Sequence, residues 1–540
     1  MKSLSIILLL AAPLLSAEPR RIEVRPVEGR AVIAEALKEA LPGDEIRLEP
    51  GIYREFVKPP SGVLISGSAG AIIDPSEAVP GEWKAADEVG PGVWKTPAPD
   101  EVRGLLIDGK FLAGLSEPRV RGEGLWHWKT LLTKGAPLSG FRKIRGLYLW
   151  KKDEKVLYVA LGGENPGVHT WRWIRRGDAA ITFHGVKGAR VQGITLAGAS
   201  AAVRFSGGSE NCELRNCRIV SFEKNGVEVT EGSGGCAVVS NFITRGAWES
   251  WAPANEPGKA RKEEYEIWQI HKNAGFYDRI GINLFRAGAN NRILTNHIVE
   301  TFDGINVGDY SVESLAKPLP NPEHGQGTEI GWNRIRDTRD SGIEIGGGAI
   351  DVRVHHNHLL RTHGGIRFKL PRVGPVFIHH NWLEDDRGFN IWFSMDSSPA
   401  EGYIYHNTIS GHAAAIAYSS MEKDFDAGAT PRWHVVNNLV VTDKGLFDDR
   451  THGKLRPNFT STHNVVAGGG RPWPEAENRE TGSRYPESIA LTDKLAFPAD
   501  SPATGVARSL ADYRNGKALP GWESGSEAGA GPLPDFPAAP

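Results

Sequence analysis

Residues 353–359 read RVHHNHL and residues 377–383 read FIHHNWL. The same phrase (an apolar start, two bulky residues, Asn, any residue, an aliphatic) returns after 24 residues. Followed along the chain, its "Asn, any residue, aliphatic" core gives a ladder at Asn241, Asn296, Asn333, Asn357, Asn381, Asn407, Asn437 and Asn464, which Gln192 and Cys217 extend towards the N-terminus. Most intervals lie between 24 and 30 residues, and the two long ones, 55 and 37, read as one unit plus an insertion. Each unit carries a strand before the ladder position, a short strand after it, a Gly-containing turn and a third strand: GIEIG after Asn333, GIRFKL after Asn357, GFNIWF after Asn381. Strict alternation over so few residues indicates strands with one buried face. A fixed period built from strands marks a stacked solenoid.

In such a coil a side-chain amide at a turn can hydrogen-bond its equivalents in the coils above and below, about 4.8 Å away. Asparagine also tolerates the left-handed backbone of a sharp turn. The flanking His355, His356, His358, His379 and His380 are therefore read as rings stacked along the coil. No carboxylate or cysteine accompanies them at ligand spacing, so no metal site is assigned.

With the ladder, the phrases PGDEIRLEPGIYREFV (42–57) and ISGSAGAIID (65–74) carry a resemblance to the right-handed parallel β-helix proteins of the pectate lyase-like superfamily, over about residues 23–77 and 176–490. The resemblance implies an all-β fold, a right-handed parallel β-helix (solenoid) of about a dozen coils with an inserted small β-rich domain. It also implies a carbohydrate substrate, although the fold hosts lyases, hydrolases, epimerases and non-catalytic adhesins.

Other features bound the reading. Residues 1–17, with a lysine, an apolar run from Leu4 to Leu15 and Ser16-Ala17, are laid out as a secretory signal peptide, so a secreted protein, periplasmic or extracellular, is expected. No later segment approaches the roughly 20 apolar residues of a membrane span. A formal charge of −2 argues against a nucleic-acid partner. Three cysteines leave an odd count, and no disulfide is assigned. The expected division is N-terminal coils over 18–79, an inserted domain over 80–175, the β-helix over 176–495 and a Pro/Gly/Ala-rich extended tail over 496–540. The insert gathers Trp83, Trp94, Trp126, Trp128, Trp150, Trp171 and Trp173. Most of these are read as core, with Trp126 and Trp128 as candidates for stacking on sugar. Further insertions at 245–276 and 310–328 border the third strands, and long loops in a compact repeat are often functional.

On each third strand the aliphatic residues must point inward and their neighbours outward. Stacking the units gives one outward column of Arg204, Glu228, Asn283, Asn306, Glu344, Arg367 and Asn390, and a second with Gly308, Gly346, Lys369 and Trp392. Asp303, Asp340, His363 and Arg387 stand at the turn before. Glycosidic hydrolysis needs one carboxyl group kept protonated beside an ionised partner, about 5 to 9 Å away. Asp303 and Asp340 are the candidate pair, with Glu344 in support, in a trough left by glycines 308, 346 and 347. Asn306, His363, Arg367, Lys369, Arg387, Asn390, Trp392 and Glu228 are candidate contacts to a polysaccharide or oligosaccharide.

The phrases TFDGINVGD (301–309), TRDSGIEIGGG (338–348) and GGIRFKLP (364–371) are also similar to polygalacturonase-like hydrolases, in which acidic residues on successive coils precede an Arg-x-Lys that grips a substrate carboxylate. That likeness implies these roles for Asp303, Asp340, Arg367 and Lys369. It departs at Asp340-Ser341, where two aspartates are expected, and at His363-Gly364-Gly365, where Gly-His-Gly is expected. No cofactor is expected for a hydrolase. The alternative, a lyase, would take Lys369 or Arg367 as base and neutralise a uronate with an arginine or with Ca²⁺ held by oxygens such as those of Asn306 and Glu344. A non-catalytic carbohydrate-binding solenoid is the third reading.

Overall fold

The computed structural model describes residues 18–115, 127–137, 143–249, 279–308, 325–347, 350–369, 375–384, 388–394, 401–419, 432–449, 459–469 and 480–492, with scattered residues between 501 and 535. The proposed signal peptide, Trp126, Arg387 and most of the insertions at 245–276 and 310–328 lie outside them.

Three parallel sheets run the length of the solenoid. One has 14 strands, from Arg21–Val24 to Glu480–Thr481; the second has 12, from Gly51–Tyr53 to Val465–Gly468; the third has 10, from Ala179–His184 to Phe447–Asp449. A complete coil contributes one strand to each, as Val352–His355, His358–Leu360 and Ile366–Lys369 do, while the N-terminal coils before Ala179 give no strand to the third sheet. The core is a set of aliphatic stacks: Ile305, Ile343, Ile366 and Ile391 pair in register, and all are fully buried. Coils close tightly at the turn before the third strand. A Cβ on Gly304 would lie 2.3 Å from the Gly342 carbonyl oxygen, so only glycine fits there.

The asparagine ladder is present, with three corrections. Each buried amide oxygen accepts two bonds from the coil before: Asn357 Oδ1 receives Asn333 N at 3.0 Å and Asn333 Nδ2 at 2.9 Å. The same Nδ2 atoms also donate to a main-chain carbonyl, as Asn357 Nδ2 does to Ile330 O. The rung after Asn407 is Asn438 rather than Asn437, since Asn407 Nδ2 donates to Asn438 Oδ1 and Asn438 Nδ2 to Asn464 Oδ1. Gln192 is not a rung either: it pairs with Arg215, the residue two before Cys217, and Cys217 N donates to Asn241 Oδ1. The third correction concerns the backbone. The left-handed residue is the one preceding each rung, Trp332, His356, His380, His406, Asn437 and His463 among them, with φ of 51° to 60°.

Those left-handed residues stack. Trp332 on His356, His356 on His380 and His380 on His406 have ring centroids 4.1, 5.0 and 5.1 Å apart. A second stack, His355, His379 and Tyr405, runs beside it, joined by Nδ1···Nδ1 contacts of 3.1 Å (His355 to His356) and 2.9 Å (His379 to His380).

The N-terminal end is covered by a short helix, Val32–Leu37, whose Ile33 and Ala34 amides donate to the buried Glu55 carboxylate at 2.9 Å each. Burial pushes that carboxyl group above the usual range. Between Glu77–Ala78 and Trp171–Ile174 the chain leaves the solenoid to build an eight-stranded mixed sheet. This insert docks on the coils through Phe111, whose amide and carbonyl bond Gly246 and Trp248, while Arg245 lies 3.9 Å over the Phe111 ring. Among the described residues of the expected tail, Leu510 and Leu519 are buried against Phe377, Tyr403, Tyr405 and Val436. Cys212, Cys217 and Cys236 are buried free thiols.

Candidate functional site

The third strands set the geometry. Their register places Arg204, Glu228, Asn283, Asn306, Glu344, Arg367 and Trp392 in one column. Trp392 therefore takes the place assigned to Asn390, because the turn before it is two residues longer than the alternation suggests. Asn390 is buried and turned into the coil, its Nδ2 donating to Ala413 O and Ala414 O at 3.1 and 3.2 Å.

At the centre of that column three carboxylates and one guanidinium meet. Arg367 Nη1 lies 3.3 Å from Asp340 Oδ2 and 3.3 Å from Glu344 Oε2, so those two oxygens are no more than 6.6 Å apart. Asp303 Oδ1 accepts the Ser341 amide at 2.9 Å, and Ser341 Oγ donates to Glu344 Oε2 at 3.2 Å. Asp303 and Asp340 are not equivalent, as the sequence had suggested: Ile305 pairs with Ile343, which sets Asp303 opposite Ser341 and leaves Asp340 one residue earlier. Ser341, a departure from the hydrolase pattern in sequence, is thus the residue that ties two coils together. On the far side Arg367 rests 4.3 Å over the Trp392 ring, which stacks on Phe389 at 4.5 Å.

The surroundings correct the expectation of an open trough. Asp303, Asp340 and Glu344 are 3%, 6% and 4% exposed and Arg367 8%. Nor do the glycines open a groove, since a Cβ on Gly308 would meet Gly347 O at 2.6 Å and the backbones pack directly. Four charged groups this deep are tolerable because each carboxylate has a donor and two of them share one guanidinium. Asn306, the register neighbour of Glu344, is 5% exposed, and its Oδ1 has no hydrogen-bond partner among the described residues.

The remaining candidates fall in different places. His363 is half-buried, and its amide donates to the Asp340 carbonyl at 3.1 Å. Glu228 stands three rungs from Glu344, roughly 14 Å at the strand spacing, and is held by Arg204 Nε and Asn225 Nδ2 at 2.6 Å each. It is a structural ion pair outside the cluster. Lys369 pairs through its backbone with Ser394, its side chain lying outside the described atoms. A calcium ion takes about six to eight oxygens, and at Glu344 it would compete with the positive charge that Arg367 already sets there. Among the described residues no group of three or more His, Cys, Asp or Glu side chains is arranged to hold a metal.

Residues 179–409 match a family model described as the right handed beta helix region. The chain is a right-handed parallel β-helix protein. Among solved structures, this β-helix is similar to the complex of XylC with xylose, at 15% identity and a TM-score of 0.55, over 88% of each chain. It is also similar to a protein described as a glycoside hydrolase (12% identity, TM-score 0.39, 76% of this chain and 99% of that one). A third is the polygalacturonase from Erwinia carotovora ssp. carotovora (11%, 0.36, 89% and 96%). At these identities the likeness concerns the fold. No curated protein matches the sequence. No helix among the described residues of the β-helix protein is long and apolar enough to cross a membrane.

Proposed function

We propose that this β-helix protein is a carbohydrate-active enzyme that hydrolyses glycosidic bonds of a polysaccharide at the third-strand face, with Asp303, Asp340 and Glu344 supplying the acid, base or nucleophile. The observation that carries the reading is the meeting of Asp340 and Glu344 on Arg367, with Asp303 joined to Glu344 through Ser341. A separation of at most 6.6 Å between the Asp340 and Glu344 oxygens suits the carboxyl pairs of glycoside hydrolases. Arg367 and the Trp392 face would bind the sugar, one through charge and the other through its ring. The burial supports a low-dielectric setting in which such groups act strongly.

The same burial also favours a second reading, a non-catalytic solenoid in which the cluster is an internal ion-pair network. Purified protein is incubated with neutral, uronic-acid and sulfated polysaccharides and read together for reducing ends and for ultraviolet absorbance. New reducing ends without absorbance, abolished in Asp340→Asn and Glu344→Gln, establish hydrolysis. Absorbance from an unsaturated uronate replaces it with a lyase. Silence across the panel, with polysaccharide binding retained, leaves the binding solenoid.

A further inference from the structure

The tryptophans of the insert are divided by their surroundings. Trp128, one of two singled out for stacking on sugar, is half-buried, with Lys151 Nζ and Lys129 Nζ 5.0 and 5.4 Å from its ring and Tyr158 at 5.7 Å. Trp83, also half-buried, lies at the margin of a core cluster, meeting Trp171 at 4.7 Å with the two rings inclined by 51°. These two indoles, with Glu82, Asn165, His169 and the side-chain-free Gly81 and Gly167, line a cleft of about 450 Å³ at the edge of the insert's sheet.

The cleft is built rather than incidental. His169 is held by Asp108, Nδ1 to Oδ2 at 2.7 Å, with Glu164 Oε2 at 3.3 Å from its other nitrogen, and Asp108 also accepts the Thr170 amide at 2.9 Å. Trp171 is fixed by its Nε1 bond to Pro166 O at 2.8 Å. Indole surface beside several polar groups, in a cleft of this size, falls in the range of a small-molecule site, for which about 300–1,000 Å³ is usual. Among the described residues its lining holds the Glu82 carboxylate and the His169 ring and no lysine or arginine. A uronate or sulfate would be repelled, whereas a ring with apolar C–H faces and hydroxyl edges satisfies both the indoles and the carboxylate.

We propose that the cleft between Trp83 and His169 is a carbohydrate-binding site of the inserted domain that takes an uncharged pyranose unit of a glycan. It does not rest on the chemistry proposed for the third-strand face, because its test reads binding and not turnover. Titration calorimetry of the full chain with cellotetraose, xylotetraose and mannotetraose is expected to detect at least one of them, at a Kd below about 10 mM. Trp83→Ala is expected to weaken it about tenfold, with Trp83→Phe keeping most of the affinity, and Glu82→Gln changing it little because the ligand carries no charge. Thermal unfolding of each variant establishes that it is folded, and Asp340→Asn is expected to bind as the parent does.

Three results overturn the proposal. One is no binding of any neutral probe. Another is equal binding by Trp83→Ala and Trp83→Phe and the parent, or loss in Asp340→Asn alone, which moves the sugar to the solenoid face. The last is Trp83-dependent binding confined to choline or to tetragalacturonate, which makes the site one for a charged ligand.

Discussion

The guanidinium of Arg367 is sandwiched in function as well as in place: it lies 4.3 Å over the Trp392 ring and supplies the positive charge for the carboxylate cluster on its other side. Replacing it leaves Asp340 and Glu344 buried without that charge, a loss of about 3–5 kcal/mol for a buried pair broken on one side. Arg367→Ala is therefore expected to lower the urea midpoint sharply. Adding Asp340→Asn and Glu344→Gln should restore part of the loss, since the uncompensated charges are then gone. An Arg367→Ala protein as stable as the parent would mean that water or other groups solvate the carboxylates and that the cluster is open.

The ladder gives a sharper comparison, between two adjacent asparagines. Asn438 accepts from Asn407 and donates to Asn464 and the Ile404 and Val436 carbonyls. Asn437 sits beside it with φ of 56°. Asn438→Ala orphans several buried groups at about 1–3 kcal/mol each, so a loss of roughly 3 kcal/mol or more is expected in denaturant unfolding. Asn437→Gly keeps the left-handed turn without strain and should cost far less. Equal losses would contradict the assignment of the rung.

These two residues also show what the sequence could and could not disclose. A rung is legible because every coil needs an amide at the same turn, and that requirement repeats at the coil period. Which member of an Asn-Asn pair fills it is set by the backbone one residue upstream, where left-handed φ is tolerated by His, Asn, Ser or Trp alike, so the letters do not decide. Third-strand alternation was enough to bring Asn306, Glu344 and Arg367 into one column. It failed at Asn390, because turn length changes between coils while the local pattern stays the same. Burial was not legible at all: charged letters on a solenoid face read as exposed, and it is the pairing of Arg367 with Asp340 and Glu344, with the Ser341 bonds, that helps them lie inside. The cleft at Trp83 depends on residues some 80 positions apart, which no local pattern reports.

Asn390 and Asn306 separate support from contact. Asn390 caps two carbonyls of the next coil, so Asn390→Ala should reduce stability by about 1–3 kcal/mol while leaving KM unchanged for the folded fraction. Asn306 has an amide oxygen beside Glu344 with no partner among the described residues. Asn306→Ala should therefore be nearly neutral for unfolding, and its effect should appear in substrate turnover. Reversal of the two outcomes would return Asn390 to the substrate face and make Asn306 a packing residue.

The histidine stacks make stability depend on pH in a stated direction. Burial pushes His356 down to about 4 and His380 down to about 2, and holds His379 well below its ordinary value of 6.5, with neighbouring imidazoles adding to the effect. The groups facing them are His355, His406, Tyr405, Trp332 and Trp382, with Glu329 on His355. An unfolded histidine takes up its proton near pH 6.5, so between about 6.5 and about 4 the unfolded chain binds more protons than the folded one. Stability then rises with pH across that window: it is full above about 6.5 and is lost as pH falls towards the folded values. Glu329, held below its usual range by the His355 bond, adds a loss at the acid end of the same interval. The midpoint of urea unfolding is expected to fall between about pH 7 and about pH 5. His380→Asn, which keeps a residue that accepts the left-handed turn, should flatten that fall because one proton-accepting site is removed from the unfolded chain and Glu329 is unchanged. An identical pH slope in parent and variant would show that His380 takes up its proton as readily in the folded coil as in the unfolded chain, and that the stack is held by something other than neutral rings.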